Sequence, residues 1–240
     1  MVDYKHLTNS NGYLRKFGRN SDIDTSTDPE DIWNGGGLYT FPSDSGEQMY
    51  ISSSNSGDTV SIKIFGLDSD FNEKELSVTL AGQTKTSIPD GVFSRVFRAY
   101  NDDSTDLAGD VYIYTDDSVS VGVPSTASKI KAKINQGDQQ TLMCVYTVPK
   151  GKIGQVIDMF GICSKVSGVS NPAGDMKFLV REFGKVFRVR YTFELTDGFY
   201  QDQFSTPMSI PEKSDILIRC QTIKDNNTAI NAGFDILFTD

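Results

Sequence analysis

Apolar and polar residues alternate in short runs from Gly37 to the end of the chain, a run recurring roughly every ten residues. A period of two is that of a β-strand with one wet and one buried face. SIKIFGL (Ser61 to Leu67) sets Ile62 and Ile64 on one face, and ELSVTLAG (Glu75 to Gly82) does the same with Leu76, Val78 and Leu80. The polar LDSDFNEK between them predicts a hairpin. The cleanest alternation is KVFRVRYTFEL (Lys185 to Leu195), where Phe187, Val189, Tyr191, Phe193 and Leu195 interleave with Arg188, Arg190, Thr192 and Glu194. In KIKAKI (Lys129 to Ile134) the lysines read as the wet face of an edge strand. GVFSRVFRAY (Gly91 to Tyr100) departs from the rule, with Phe93 and Phe97 on one side and Val92, Val96 and Tyr100 on the other. A strand apolar on both faces is central in a sandwich or pressed against another subunit. No helical period is sustained over ten or more residues.

Residues 1–34 carry neither period. LRKFGRN (Leu14 to Asn20) gives a basic, Phe-bearing patch, and the acidic SDIDTSTDPED follows. The fold expected is all-β: two antiparallel, jelly-roll-like β-sandwiches, residues 35–135 and 136–240, preceded by an extended N-terminal docking arm, residues 1–34. NQGDQQ (Asn135 to Gln140) marks the boundary between sandwiches, each near the usual size for such domains. Leu14, Arg15, Lys16, Phe17 and Arg19 are the arm's candidate partner-binding residues. Ile32 and Trp33 are candidates to anchor it in a groove, with Gly35, Gly36 and Gly37 as a hinge, because glycine reaches positive φ at no steric cost. The alternative is that Trp33, the single tryptophan, plugs its own sandwich. Phe93 and Phe97 are candidates for a contact between subunits.

Charge and chemistry narrow the function. The net charge is −9, a poor match to a phosphate backbone, so nucleic acid is not an expected partner. No apolar run has the length of a membrane span, and neither a secretory leader nor a membrane is expected. Cys144, Cys163 and Cys220 lack metal-ligand spacing and are expected to be free thiols, in keeping with folding in a reducing cytoplasm. His6 is the only histidine, which removes Ser-His-Asp and Cys-His nucleophiles and His-based zinc sites. Asp68, Asp70 and Asn72 open like a calcium loop, but Glu73 replaces the required glycine and Thr79 the closing glutamate. Asp102, Asp103 and Asp106, like Asp116 and Asp117, sit among turn residues where aspartate bonds to backbone. No enzyme, metal or cofactor is expected. A glycan site on exposed tyrosines, from Tyr39, Tyr112, Tyr114, Tyr191 and Tyr200, competes with their packing in the sheets.

Several segments resemble a family of minor virion structural proteins of tailed bacteriophages: KFGRNSDIDT, EDIWNGGGLYTF and FGLDSDFNEKELSVTLAGQT in the first half, and QQTLMCVYTVPKGKIG, MKFLVREFGKVFRVRYTFEL and IPEKSDILIRC with NNTAINAGFDILFTD in the second. The likeness spans nearly the whole chain. It implies a non-enzymatic collar, neck-appendage or head-decoration protein, made in the host bacterial cytoplasm and located in the virion. The partners it implies are other virion proteins, portal or neck or major capsid, and further copies of the chain, a trimer being favoured. A glycan-binding accessory on the virion surface is the alternative.

Overall fold

The computed structural model describes residues 12–166, 172–196 and 198–239. Residues 1–11 of the expected arm, His6 among them, lie outside the described residues. What is described is almost entirely antiparallel strand and turn, as the alternation predicts, and it contains one short 3₁₀ turn, Ala127–Lys129. No helix among the described residues is long and apolar enough to cross a membrane. The chain divides into two compact units, Met1–Leu38 with Met143–Asp240, and Tyr39–Leu142. One domain is therefore inserted into the other, and the expected divisions after residues 34 and 135 are corrected to these.

The expected arm is corrected too. Tyr13–Ile23 forms the first strand, β1, and Glu30–Asp31 the short β2. The inward positions of β1 include Leu14, Lys16, Gly18 and Asn20. Two polar side chains and a glycine among four inward positions erase the apolar alternation that would mark a strand. Two of these three have a local reason. Asn20 Nδ2 donates to Glu30 Oε2 at 2.7 Å, and a Cβ on Gly18 would stand 2.2 Å from the Cys144 amide nitrogen, so only glycine permits that approach.

In the inserted unit the strands are β3 (Glu47–Ser53), β4 (Ser61–Leu67), β5 (Glu73–Thr79), β6 (Thr86–Phe93), β7 (Arg95–Asn101), β8 (Val111–Tyr114), β9 (Val119–Ser120), β10 (Val123–Pro124) and β11 (Ile130–Ile134). A four-stranded sheet, β11-β8-β3-β6, and a three-stranded one, β5-β4-β7, enclose Met49, Ile51, Ile62, Ile64, Phe93 and Phe97. β4 and β5 make the expected hairpin, and Asp68 Oδ1 accepts the amides of Asp70 and Asn72 at 2.8 and 2.9 Å in its turn. GVFSRVFRAY is not one strand. It leaves β6 at Phe93, crosses to the other sheet at Ser94 and continues as β7, so its two halves count alternation from different origins. β11 is an edge strand, but a bulge lies between Ile130 and Ala132. Lys131, expected on the wet face, is buried there, and its Nζ donates to the Ser128 and Thr40 carbonyls at 2.7 and 2.9 Å.

The remaining strands return to the first unit: β12 (Val145–Thr147), β13 (Ile153–Lys165), β14 (Ala173–Arg181), β15 (Arg188–Thr196), β16 (Phe199–Ile210), β17 (Asp215–Ile223) and β18 (Thr228–Thr239). They pair as β1-β18-β13-β16 and as β12-β17-β14-β15, with β2 added on β17. First and last strands are neighbours, and the chain passes repeatedly from sheet to sheet, which is the jelly-roll arrangement. Phe178 meets Phe234 edge to face at 5.5 Å between the sheets, a favourable geometry for aromatic rings. Two buried carboxylates are paired: Asp31 with Arg219 through contacts of 2.6 and 3.1 Å, and Asp215 with Arg181 and with the Thr147 hydroxyl. The three cysteines are free and buried, and burial pushes the Cys144 and Cys220 thiols up to about 12. A bulge opposite Phe178 and Leu179 places Arg190 between paired residues of β15. It breaks the cleanest alternation in the sequence, burying Phe193 and Leu195 while Val189 is exposed.

Candidate functional site

Six of the nine expected partner-binding residues, Leu14, Lys16, Ile32, Trp33, Phe93 and Phe97, are buried within their own units. Trp33 bridges to Met143, its indole Nε1 donates to the Gly37 carbonyl at 3.2 Å, and the backbone of Gly35 lies against its ring. The glycine run closes over the tryptophan it follows: Gly36 and Gly37 take φ of +70° and +62°, and the Gly37 amide donates to Glu30 Oε2 at 2.7 Å. This is the plug, not the hinged anchor. GVFSRVFRAY likewise spends both phenylalanines on its own sandwich, so neither ring is exposed to a second subunit.

The other three residues, Arg15, Phe17 and Arg19, share the outward face of β1, and the register extends that face across the sheet. Arg15 stands opposite Asp235 and Asp235 opposite Asp158; Phe17 opposite Gly233 and Gly233 opposite Phe160; Arg19 opposite Asn231, then Ile162, then Phe199. Phe17, Ile162 and Phe199 are 42%, 39% and 66% exposed. The centre is held rigidly. Phe160 lies across Gly233, where an added Cβ would come within 2.3 Å of the ring, and the Arg15 guanidinium sits 5.0 Å over it. That guanidinium is fixed in turn by two hydrogen bonds to Asp235, at 2.7 and 2.6 Å, which raise its pKa. Asp158 Oδ2 accepts from Gln201 Nε2 at 2.6 Å. Arg19 Nη1 reaches Asn231 Oδ1 at 3.3 Å.

The result is a broad platform of exposed apolar side chains rimmed by arginine and amide groups, the mix found at protein interfaces. The expected free basic patch is largely spent, since Lys16 is buried and Arg15 is neutralised. Phe160, Ile162, Phe199, Asn231 and Asp235 escaped the sequence reading. A β13 bulge between Val156 and Asp158 shifts the phase of QVIDMFGICSKV, and the glycine under Phe160 comes from a distant segment.

The chemistry expected of the acids matches their surroundings. The Asp103 carboxylate accepts the Ser104 and Thr105 amides, Asp117 accepts the Thr126 amide at 2.7 Å, and Asp116 pairs with Lys85. Of the candidate sugar-stacking tyrosines, Tyr39, Tyr112 and Tyr114 are buried. Tyr191 and Tyr200 are half-buried with hydroxyls 3.0 Å apart. A cleft of about 190 Å³ opens beside Asp175, Glu194 and Lys224, below the roughly 300 Å³ at which small-molecule sites begin.

No family model matches the chain, and no curated protein does. A slight likeness exists to the structure of infectious bursal disease virus Gt strain, at 8% identity over 95% of this chain and 80% of that one, with a TM-score of 0.12. Such a likeness carries no argument about fold or role.

Proposed function

We propose that this chain is a non-enzymatic structural component of a tailed-phage particle, a collar, neck-appendage or head-decoration protein, that docks to portal, neck or major capsid protein through the outer face of β1-β18-β13-β16. The observation carrying this reading is the pinned platform of Phe17, Phe160, Ile162 and Phe199 with Arg15 at its edge. Rigid aromatic and arginine anchors lose little entropy on binding, and such residues dominate interface energies. A jelly roll is in keeping with a capsid-associated role, though the fold serves other functions as well. The resemblance in sequence supplies the phage assignment and the expectation of a homo-oligomer, a trimer on the same ground.

The test is particle incorporation. Phe17→Asp with Phe199→Asp alters two exposed positions, so melting should stay within a few degrees while the amount of protein in purified particles falls at least tenfold. Normal incorporation of the folded double variant sinks the proposal. A glycan-binding accessory is the second reading, favoured by the amide of Gln201 opposite Phe160 and that of Asn231 opposite Ile162. A glycan array that responds to the protein, and loses the signal with the same variant, selects it instead.

A further inference from the structure

The hairpin between β14 and β15 turns through Gly184, at φ +70°, and the Lys185 amide donates to the Glu182 carbonyl at 2.9 Å. Around this turn Phe183, Val186 and Val189 are 49%, 72% and 47% exposed. Lys185, Arg188 and Arg190 are exposed among them. The charge is weakly answered within the hairpin, where Arg190 Nη1 lies 3.8 Å from Glu182 Oε1. An apolar, basic projection is unusual on a protein of net charge −9, and exposed apolar clusters rimmed by charge mark interaction sites.

The complement lies in the same chain. Residues 39–142 hold 8 Lys and Arg against 15 Asp and Glu, a net −7, while the rest of the chain holds 15 against 17, a net −2. Nearly all the acidity therefore belongs to the inserted sandwich, whose Asp102, Asp103 and Asp106 are exposed on one turn. We propose that the β14–β15 hairpin is a self-association surface that docks on the acidic inserted sandwich of a second copy. The two halves of this contact are different surfaces, so it is heterologous. Every copy offers one of each, and the assembly closes as a ring where the rotation permits. The proposal rests on the oligomeric part of the functional reading and names the contact that builds the oligomer.

Sedimentation velocity on the full chain at tens of micromolar tests it. In 50 mM salt the wild type is expected to be oligomeric, and in 500 mM salt to shift to monomer, since screening weakens exposed charge attraction. Lys185→Glu with Arg188→Glu and Arg190→Glu should be monomeric at both salts, with an unchanged melting temperature. Val186→Ser, which leaves charge alone, should raise the dissociation constant at least tenfold. A monomeric wild type in 50 mM salt overturns the inference together with the oligomeric reading. Oligomers of unchanged size in both variants, or an oligomer indifferent to salt, overturn the inference alone. A monomeric wild type that binds duplex DNA or anionic phospholipid vesicles through Lys185, Arg188 and Arg190 would reassign the hairpin to that partner and overturn the inference.

Discussion

Lys131 shows how one residue can mislead a pattern. Three lysines at every second position look like a wet face, but a bulge turns the middle one inward onto two backbone carbonyls. Burial lowers its pKa to about 8. Between that value and the unfolded value near 10.5 Lys131 holds its proton less in the folded state than in the unfolded state, so its contribution to stability rises with pH across this window. Below pH 8 both states are charged and the burial cost is felt in full. At 1.36 kcal/mol per unit the contribution of Lys131 alone approaches ~3 kcal/mol. Above pH 9 the sign reverses through the Cys144 and Cys220 thiols, and above pH 10 through Tyr112 as well, all three pushed up to about 12 by burial, because the folded state then keeps protons that the unfolded state has lost. Urea midpoints taken from pH 7 to 11 should climb from about 8 to 9 and then fall, and Lys131→Met should remove the climb. A flat profile in the wild type contradicts the assignment. Arg15, Phe17 and Arg19 were legible in the sequence as candidates because a basic, Phe-bearing cluster needs only neighbours in the chain to be seen. Asp235 and Phe160 were not, because what makes them matter is a partner more than seventy residues away in sequence.

At the scale of elements, strands were legible wherever one strand stayed in one sheet with an unbroken ladder, as β4 and β5 do. They were obscured wherever the backbone added a residue or changed sheet. The bulge at Arg190 and the crossing at Ser94 each reset the count of a two-residue period, and the sequence carries no mark of that reset. β1 was lost for a different reason: its inward face is filled by a lysine, a glycine and an asparagine as well as Leu14. The crossing has a consequence for Phe97. Its ring is core to the inserted sandwich, so Phe97→Asp should destabilise that sandwich by at least ~3 kcal/mol, the cost of an unpaired buried charge. Chemical denaturation should show this loss at protein concentrations where the chain is wholly monomeric. A variant of normal stability that only fails to associate would return Phe97 to an interface.

For the whole molecule, the division into a jelly roll and an insertion predicts separable behaviour. The all-β class and the presence of two sandwiches were legible from alternation alone. The nesting was not, because neighbours in sequence do not announce that β1 waits for β18. Deleting residues 12–23 should unfold the jelly roll and leave the 39–142 sandwich intact. Limited proteolysis should then reduce the chain to a stable fragment of that sandwich, whereas an untouched jelly roll would restore the arm. The pairing of β1 with β18 also has a consequence during synthesis. Arg15 and Asp235 are 220 residues apart, so at roughly 5 to 20 residues per second the ribosome needs on the order of tens of seconds to deliver the second after the first. The inserted sandwich has time to fold in that interval, while β1 waits with its backbone unclaimed. A premature stop codon before Thr228 makes that wait permanent: it releases a product with one finished domain and one open strand edge, a template for aggregation.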